Sequence, residues 1–270
     1  LPAHRMGRLP YPGTMPRPVA VAPEDLPLRL MPAAPARRDH CVVLLHGFTS
    51  TPASVRAWAE GLAAGGSPVS VPLLPGHGTR WEDLAATGAD EIRAAVRAVV
   101  DLELARHGRV VMAGISMGGA LALDAAAHRP VAGVLVVNPA LRFASPLAPF
   151  APLLAPFVPT VAPIADDIAD PTARERAYPR TPVAGVAAVG RIQRAARRAL
   201  PRITAPVTVY RSARDAVVPA SSHRTLVRGL RQAPVEVVGL PRSRHVATLD
   251  HDLPLLIDHG RSAVAAMTTH

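Results

Sequence analysis

The chain has 270 residues, of which 49% are hydrophobic, and it carries a formal net charge of +10. This length fits one large α/β domain or two smaller ones, and the apolar fraction is sufficient for a sizeable core. The single cysteine, Cys41, excludes an internal disulfide and a cysteine metal cluster.

The positive charge comes entirely from arginine, because the chain contains 30 basic residues and no lysine. The arginines are scattered in runs no longer than a pair, and aromatic residues do not alternate with them. We therefore interpret the charge as a compositional bias towards Arg, Ala and Pro, and we predict no nucleic-acid partner. The alternative interpretation is a cationic face that attracts an anionic membrane or substrate.

The N-terminal segment, residues 1–38, is rich in proline and has little periodic pattern apart from a predicted strand at 28–31. Its first residues include an arginine but no apolar stretch of the kind found in a signal peptide. From this we expect a cytoplasmic protein.

Apolar runs alternate with amphipathic stretches between residues 39 and 138. A continuous apolar run is typical of a strand buried on both faces of a parallel sheet, whereas helical spacing predicts a surface helix. We expect Asp90 to cap the clearest helix. Strands are predicted at 41–45, 69–73, 110–113 and 131–137, helices at 52–64 and 90–106, and the apolar stripe of the second helix comprises Ile92, Ala95, Val96, Val99 and Leu102.

The alternation stops at Asn138, and residues 139–202 contain no strand pattern. The part of this stretch at 143–165, called the apolar segment below, has no charged residue but holds six prolines. Proline removes backbone hydrogen bonds that lipid cannot replace, so a membrane-spanning helix is not expected. A helix is predicted at 182–200. We interpret 139–202 as an insertion that caps the active edge of the sheet.

The α/β pattern resumes in residues 203–270, which together with 39–138 form the predicted core. Strands are expected at 207–210 and 235–240, and helices at 220–230 and 253–267. Strands that alternate with helices predict a mostly parallel central sheet flanked by helices.

The stretch 109–123 combines a strand pattern, a sharp turn and a helix pattern around the sequence Gly-Ile-Ser-Met-Gly. This arrangement is typical of a nucleophile elbow, with Ser116 as the nucleophile. Gly114, Gly118 and Gly119 remove side chains that would collide at such a tight turn. The bare pentapeptide is modest evidence, and the partner residues elsewhere in the chain strengthen it.

A serine nucleophile needs a histidine base and a third group that orients the base. Asp215 and His245 follow predicted strands in the chain order Ser, acid, His that this turn requires. Because the carboxyl ends of parallel strands share one edge of the sheet, we expect all three side chains to meet there. The alternative histidines are His77, His223 and His251, and the alternative acids are Asp101, Asp124, Asp166, Asp167 and Asp170.

An oxyanion hole requires two backbone N–H groups near the nucleophile. One is expected from Met117, the residue after Ser116, and the other from Phe48, in the loop after the strand 41–45.

Four motifs resemble those of bacterial monoacylglycerol lipases and the related small carboxylesterases: 46–49 (HGFT), 75–78 (PGHG), 114–119 (GISMGG) and 243–250 (SRHVATLD). The stretch 176–182 (RAYPRTP) also resembles the lipases. The resemblance implies an α/β-hydrolase fold with a cap insertion after the sixth strand, Ser116, Asp215 and His245 as triad, and no cofactor or metal. By position it implies that Glu175 binds glycerol hydroxyls.

We therefore predict a serine hydrolase that cleaves carboxylic esters, with monoacylglycerols as the expected substrates and with micelle or membrane contact through the cap. The alternatives are a carboxylesterase or thioesterase acting on another small acyl substrate, and a catalytically silent binding protein on this fold. The longer Pro-rich N-terminal segment and the composition of the apolar segment depart from the family pattern.

Overall fold

A computed structural model describes residues 20–32 and 39–269. Parts of the Pro-rich segment, residues 1–19 and 33–38, lie outside the described residues, as does residue 270. The described chain forms a seven-stranded sheet with helices on both faces and an insertion between the fifth and eighth strands. This is the mostly parallel α/β architecture that the sequence predicts.

The large sheet has the strand order β1-β3-β2-β4-β5-β8-β9. Only the edge strand β1 runs antiparallel to its neighbour, and the other pairs are parallel. The central strands are buried along their whole length, as their unbroken apolar sequences require. The strands are β1 (Leu28–Leu30), β2 (His40–Leu45), β3 (Val69–Val71), β4 (Arg109–Ile115), β5 (Gly133–Val137), β8 (Val207–Ser212) and β9 (Val235–Leu240).

Two hydrophobic clusters lie on opposite faces of this sheet. On one face, Val43 and Leu45 pack with side chains of α3, α4, α6 and α7, and on the other, Val42 and Leu44 pack with side chains of α1 and α8. The alternation of burial along β2 follows from the two-residue repeat of a strand. The helices are α1 (Arg56–Ala64), α2 (Trp81–Ala86), α3 (Ala89–His107), α4 (Met117–Ala126), α5 (Ala151–Leu154), α6 (Val183–Ala199), α7 (Ala220–Gly229) and α8 (Leu253–Thr268).

The insertion follows β5, which is the fifth strand of the described residues and not the sixth. It contains α5, α6 and a strand pair that the sequence pattern did not predict, β6 (Thr160–Val161) with β7 (Thr181–Pro182). Each of these strands is two residues long, too short for an apolar repeat to show. Large side chains of the apolar segment are exposed, with Phe157 at 83% and Leu153 at 71%. None of the described helices is long and apolar enough to cross a membrane.

Two expectations for α3 are wrong. Gly88 is the N-cap, and Asp90 instead lies in the first turn, where it pairs with Arg93 at 3.0 Å. Leu102 is 47% exposed, while the neighbouring Glu103 is buried. An Arg29 guanidinium lies 2.5 Å from the Glu103 carboxylate, and this ion pair allows a charged residue to occupy the buried face.

Candidate active site

Ser116 lies between the end of β4 and the start of α4, with a backbone φ of 53°. Residues other than glycine rarely adopt this backbone conformation, and close packing enforces it here. A Cβ on Gly114 would lie 2.5 Å from the Gly118 carbonyl oxygen, and one on Gly118 would lie 2.5 Å from the His46 carbonyl oxygen. The Ser116 amide also donates to the Val137 carbonyl at 3.0 Å. Glycines therefore permit the turn that exposes Ser116 to the candidate site.

The predicted acid and base contact each other through a hydrogen bond of 3.0 Å between His245 Nδ1 and Asp215 Oδ2. Both side chains are almost fully buried. The second carboxylate oxygen of Asp215 accepts hydrogen bonds from the amides of Val217 and Val218, each at 2.8 Å. The carboxylate is thus fixed by its own loop, and it leaves Nε2 of His245 as the ring nitrogen that can act as a base.

A cavity of about 430 Å³ lies at the carboxyl edge of the sheet, beneath the insertion. Ser116 and His245 both line it, and so do Phe48, Met117 and Glu175. Asp215 does not line the cavity and reaches it only through His245. Most of the remaining wall is apolar and includes Phe143, Ala148, Ile164, Val186 and Val189. The site can therefore hold an apolar chain next to a nucleophile and a base.

The two residues predicted to supply the oxyanion donors line the same cavity as Ser116. Met117 is the first residue of α4, so its N–H is among those that a helix leaves without an internal partner. Phe48 follows Gly47, at which an added Cβ would lie 3.8 Å from the Ser116 Cβ. The next residue, Thr49, has a φ of 63°, which turns the loop sharply beside the nucleophile.

Two buried histidines support the Phe48 loop. The His46 and His77 rings meet edge to face at 5.0 Å, and His77 also contacts the Phe48 ring and stacks on Tyr178. Burial lowers the pKa of His46 to about 3 and that of His77 to about 4. Both rings are therefore neutral near neutral pH, and His77 acts as packing for the loop instead of as the base.

Glu175 extends from the insertion to the same cavity. Its amide donates to Asp166 Oδ1 at 2.7 Å, which fixes the backbone at this point. Burial raises the pKa of the Glu175 carboxyl, while the Ser50 hydroxyl and the His245 imidazole oppose this shift. A carboxyl group in this position can accept hydrogen bonds from a polar part of a ligand.

Asn138 is a site residue that the sequence analysis did not single out. It is buried at the end of β5, with a φ of 43°. Its Nδ2 donates to the His245 carbonyl and to Ser212 Oγ, both at 2.8 Å, and its Oδ1 accepts from the Ser212 amide at 2.9 Å. Asn138 thus joins β5, β8 and the His245 loop. Its location, where an apolar strand ends in a polar residue, was the available signal.

Asp167 is the second residue that holds the His245 loop in place. In the sequence it was only one of the alternative acids. Its Oδ2 accepts from the His245 amide at 3.2 Å and from the Ala216 amide at 2.9 Å, and its carbonyl accepts from the Val246 amide. One carboxylate of the insertion therefore holds both the His245 loop and the Asp215 loop. Only the long-range fold brings these three segments together.

The other alternative residues have different partners. Asp124 forms two hydrogen bonds of 3.0 Å with Arg93, and Asp101 pairs with Arg129. Asp170 accepts from the Thr172 amide and hydroxyl. His223 and His251 do not line the cavity that holds Ser116. None of them matches the contact between Asp215 and His245.

Among the described residues, Cys41, Glu103 and His107 could offer metal-ligand atoms within 4.8 Å of one another. The Arg29 guanidinium already pairs with the Glu103 carboxylate in this group. A cation beside the ligands opposes the binding of a second cation. We therefore do not assign a metal site to these three residues.

A protein-family model described as the alpha/beta hydrolase family matches residues 42–258. The chain belongs to the alpha/beta hydrolase family. The thermostable monoacylglycerol lipase of Bacillus sp. (strain H-257) is 34% identical to this hydrolase over 218 residues, which are 80% of this chain and 87% of that protein.

Solved structures support the same fold for the hydrolase. One from work on the metagenome-derived lipolytic enzymes LipS and LipT is 34% identical, has a TM-score of 0.84, and matches over 93% of this chain and 100% of that one. The monoacylglycerol lipase of Paleococcus ferrophilus has a TM-score of 0.72 at 19% identity, over 90% of this chain and 98% of that one, and it shows the fold alone. The predicted fold and the predicted enzyme class, a carboxylic ester hydrolase, are confirmed.

Proposed function

We propose that this hydrolase cleaves monoacylglycerols to glycerol and a free fatty acid, with Ser116, His245 and Asp215 as its catalytic triad. The observation that carries the proposal is the 3.0 Å hydrogen bond between His245 and Asp215 behind a cavity that Ser116 lines. The 34% identity to a Bacillus monoacylglycerol lipase supports this choice of substrate.

The chemistry begins when Ser116 Oγ attacks the ester carbonyl carbon and His245 Nε2 takes the hydroxyl proton. The N–H groups of Phe48 and Met117 donate to the oxyanion, and each such donor contributes about 3 kcal/mol to the stability of the transition state. Collapse of this intermediate breaks the ester bond, and His245 returns the proton to the departing glycerol oxygen. Water then attacks the acyl-enzyme with the help of His245 and releases the fatty acid.

The two ends of the substrate meet different surfaces. The acyl chain lies along the apolar wall formed by Phe143, Val186 and Val189. The glycerol hydroxyls face Glu175, whose carboxyl lines the cavity near His245. In this proposal residues 139–202 act as a cap. Its exposed apolar segment contacts the micelle or membrane that supplies the substrate.

The test compares the parent enzyme with Ser116→Ala on monoolein and on a soluble short-chain aryl ester. We expect the parent to hydrolyse both and Ser116→Ala to lose roughly 10⁶-fold in kcat on each. A fluorophosphonate probe should label the parent and not the variant. If Ser116→Ala retains the parent activity, the mechanism is wrong.

The substrate is tested separately with a panel of monoacylglycerols, di- and triacylglycerols, simple alkyl esters and acyl thioesters. We expect the highest kcat/KM for monoacylglycerols. Glu175→Gln should raise KM for monoacylglycerols about tenfold, because a hydrogen bond to a charged group is worth roughly 1.5 kcal/mol, and it should leave simple alkyl esters unchanged. A higher kcat/KM for thioesters or alkyl esters would contradict the choice of substrate.

A further inference from the structure

A groove of about 450 Å³ lies between α6 and α7, outside the cavity that holds Ser116. Its polar lining is entirely cationic or hydroxyl-bearing, and no acidic residue lines it. We call it the arginine groove. Its polar side chains are those of Arg142, Arg197, Arg224, Arg228, Arg231, Ser221 and Thr225.

Several arginines elsewhere in the molecule have carboxylate partners. Arg93 pairs with Asp124, Arg129 with Asp101, and Arg176 with Asp25. By contrast, the structure gives the five groove arginines no ion pair within the described ranges 20–32 and 39–269. The groove therefore concentrates positive charge that the described residues do not neutralise.

Two groove arginines are held in place before any ligand binds. Arg142 Nε donates to Thr225 Oγ1 at 2.7 Å, and Arg197 donates to the Leu141 carbonyl. Burial and the neighbouring guanidinium groups of Arg142, Arg194 and Arg198 lower the pKa of Arg197. Planar guanidinium groups with nearby hydroxyls match the geometry of phosphate oxygens. A bound phosphate would supply the missing negative charge.

The arginine groove is continuous with the apolar segment. A second cavity of about 490 Å³ shares Arg142 and Arg197 with the groove and adds Arg191 and Arg194. Three prolines of the apolar segment also line this cavity. The helix α5 and the turn before it pack on α6 and carry exposed Phe150 and Leu153. Arginines and exposed apolar side chains thus form one surface. This combination is typical of proteins that bind anionic lipid surfaces.

We propose that the arginine groove binds the phosphate groups of anionic phospholipids and so seats the apolar segment on a membrane. The inference rests on the proposed function, because a membrane is where a monoacylglycerol substrate would be dissolved. The groove arginines contact lipid headgroups at the surface, while the apolar segment enters the outer part of the hydrocarbon.

The test measures co-sedimentation of the full chain with lipid vesicles, in the Ser116→Ala background so that no hydrolysis occurs. One set of vesicles contains phosphatidylcholine alone, and the other is an equimolar mixture with phosphatidylglycerol. We expect tighter binding to the anionic vesicles and release by sodium chloride. Arg224→Gln with Arg228→Gln should weaken binding to the anionic vesicles roughly 25-fold, since each arginine at such a surface contributes about a fivefold factor.

The matched control is Arg56→Gln with Arg261→Gln, which removes the same charge from α1 and α8 on the opposite face of the sheet. We expect it to bind anionic vesicles as the parent does. Equal loss in both double variants would overturn the proposal, because net charge alone would then explain binding. Equal binding of the parent to both kinds of vesicle would also overturn it.

Two further measurements test whether misfolding of the variant or binding of a soluble anion explains the vesicle result. In the active Ser116 background, the Arg224 and Arg228 double variant should hydrolyse a soluble short-chain ester at the parent rate, which shows that it folds. Failure of the parent on that ester would contradict the proposed function and leave the vesicle result intact. Thermal stabilisation by inorganic phosphate without vesicle binding would assign the groove to a soluble anion and overturn the membrane proposal.

Discussion

The two halves of the candidate site are positioned in different ways. Ser116 is positioned by its own short stretch of chain, where the tight contacts of Gly114 and Gly118 restrict the backbone to one conformation. Asp215 and His245 lie in longer loops, and the side chains of Asn138 and Asp167 hold those loops together from a distance. The nucleophile thus depends on close backbone packing, and the acid and base depend on long-range hydrogen bonds.

This difference implies different responses to mutation. A change in the elbow should act through steric collision and reduce the stability of the whole fold, since its neighbours are backbone atoms of β2 and α4. A change among the loop contacts should mainly misplace the base. It should therefore lower kcat and leave the free energy of unfolding little changed.

The largest expected effect is that of Asp215→Asn on the acid–base half. The substitution removes the charge beside Nδ1 of His245 and favours the wrong tautomer, so kcat should fall roughly 10⁴-fold. KM and the free energy of unfolding should change little. Steady-state kinetics on a soluble ester check this prediction, and a loss below tenfold would mean that another carboxylate orients the base.

Next in size is Gly118→Ala in the elbow. The added methyl group would lie within 2.5 Å of the His46 carbonyl oxygen, and the free energy of unfolding should fall by about 3 kcal/mol. Gly239→Ala is the control, because a Cβ there meets nothing within 4 Å. Urea denaturation of both variants measures the difference. Equal stability of the two would show that the elbow can relax.

A smaller effect is expected for Asp167→Ala in the loop contacts. The amides of His245 and Ala216 lose their shared acceptor, so we expect kcat to fall about 30-fold with an unchanged KM for a soluble ester, a change that corresponds to roughly 2 kcal/mol of transition-state energy. Asp170→Ala, which removes contacts to Thr172 instead, is the matched control from the same loop. Comparable losses in both variants would assign the effect to the loop as a whole.

The last expected effect is on the pH dependence of stability and concerns His77, which packs beneath the Phe48 loop. Its pKa is about 4 in the folded chain and about 6.5 in the unfolded chain, so the unfolded chain binds more protons between these values. Stability from this group is present above about pH 6.5 and is lost as the pH falls towards 4. Between about pH 4 and pH 6.5, His77→Gln should reduce the slope of the unfolding free energy against pH by about 1.4 kcal/mol per pH unit. Identical slopes for parent and variant would contradict the prediction.

The sequence predicted most of the architecture because its signals are local. The unbroken apolar run of β2 and the helical spacing in α3 are readable within one element. The chain also determined the elbow, since the glycines around Ser116 are close neighbours in sequence. The candidates Asp215 and His245 were recognisable from strand ends and chain order alone.

Only the tertiary structure decided how these residues are held. Asn138, Asp167 and His245 are separated by dozens of residues, and hydrogen bonds between such distant segments leave no periodic pattern in the sequence. The buried Glu103 of α3 was missed for the same reason, because its partner Arg29 lies on β1, far away in the sequence. The arginine groove is a further case: α6 and α7 carry ordinary scattered arginines, and packing alone gathers them on one surface.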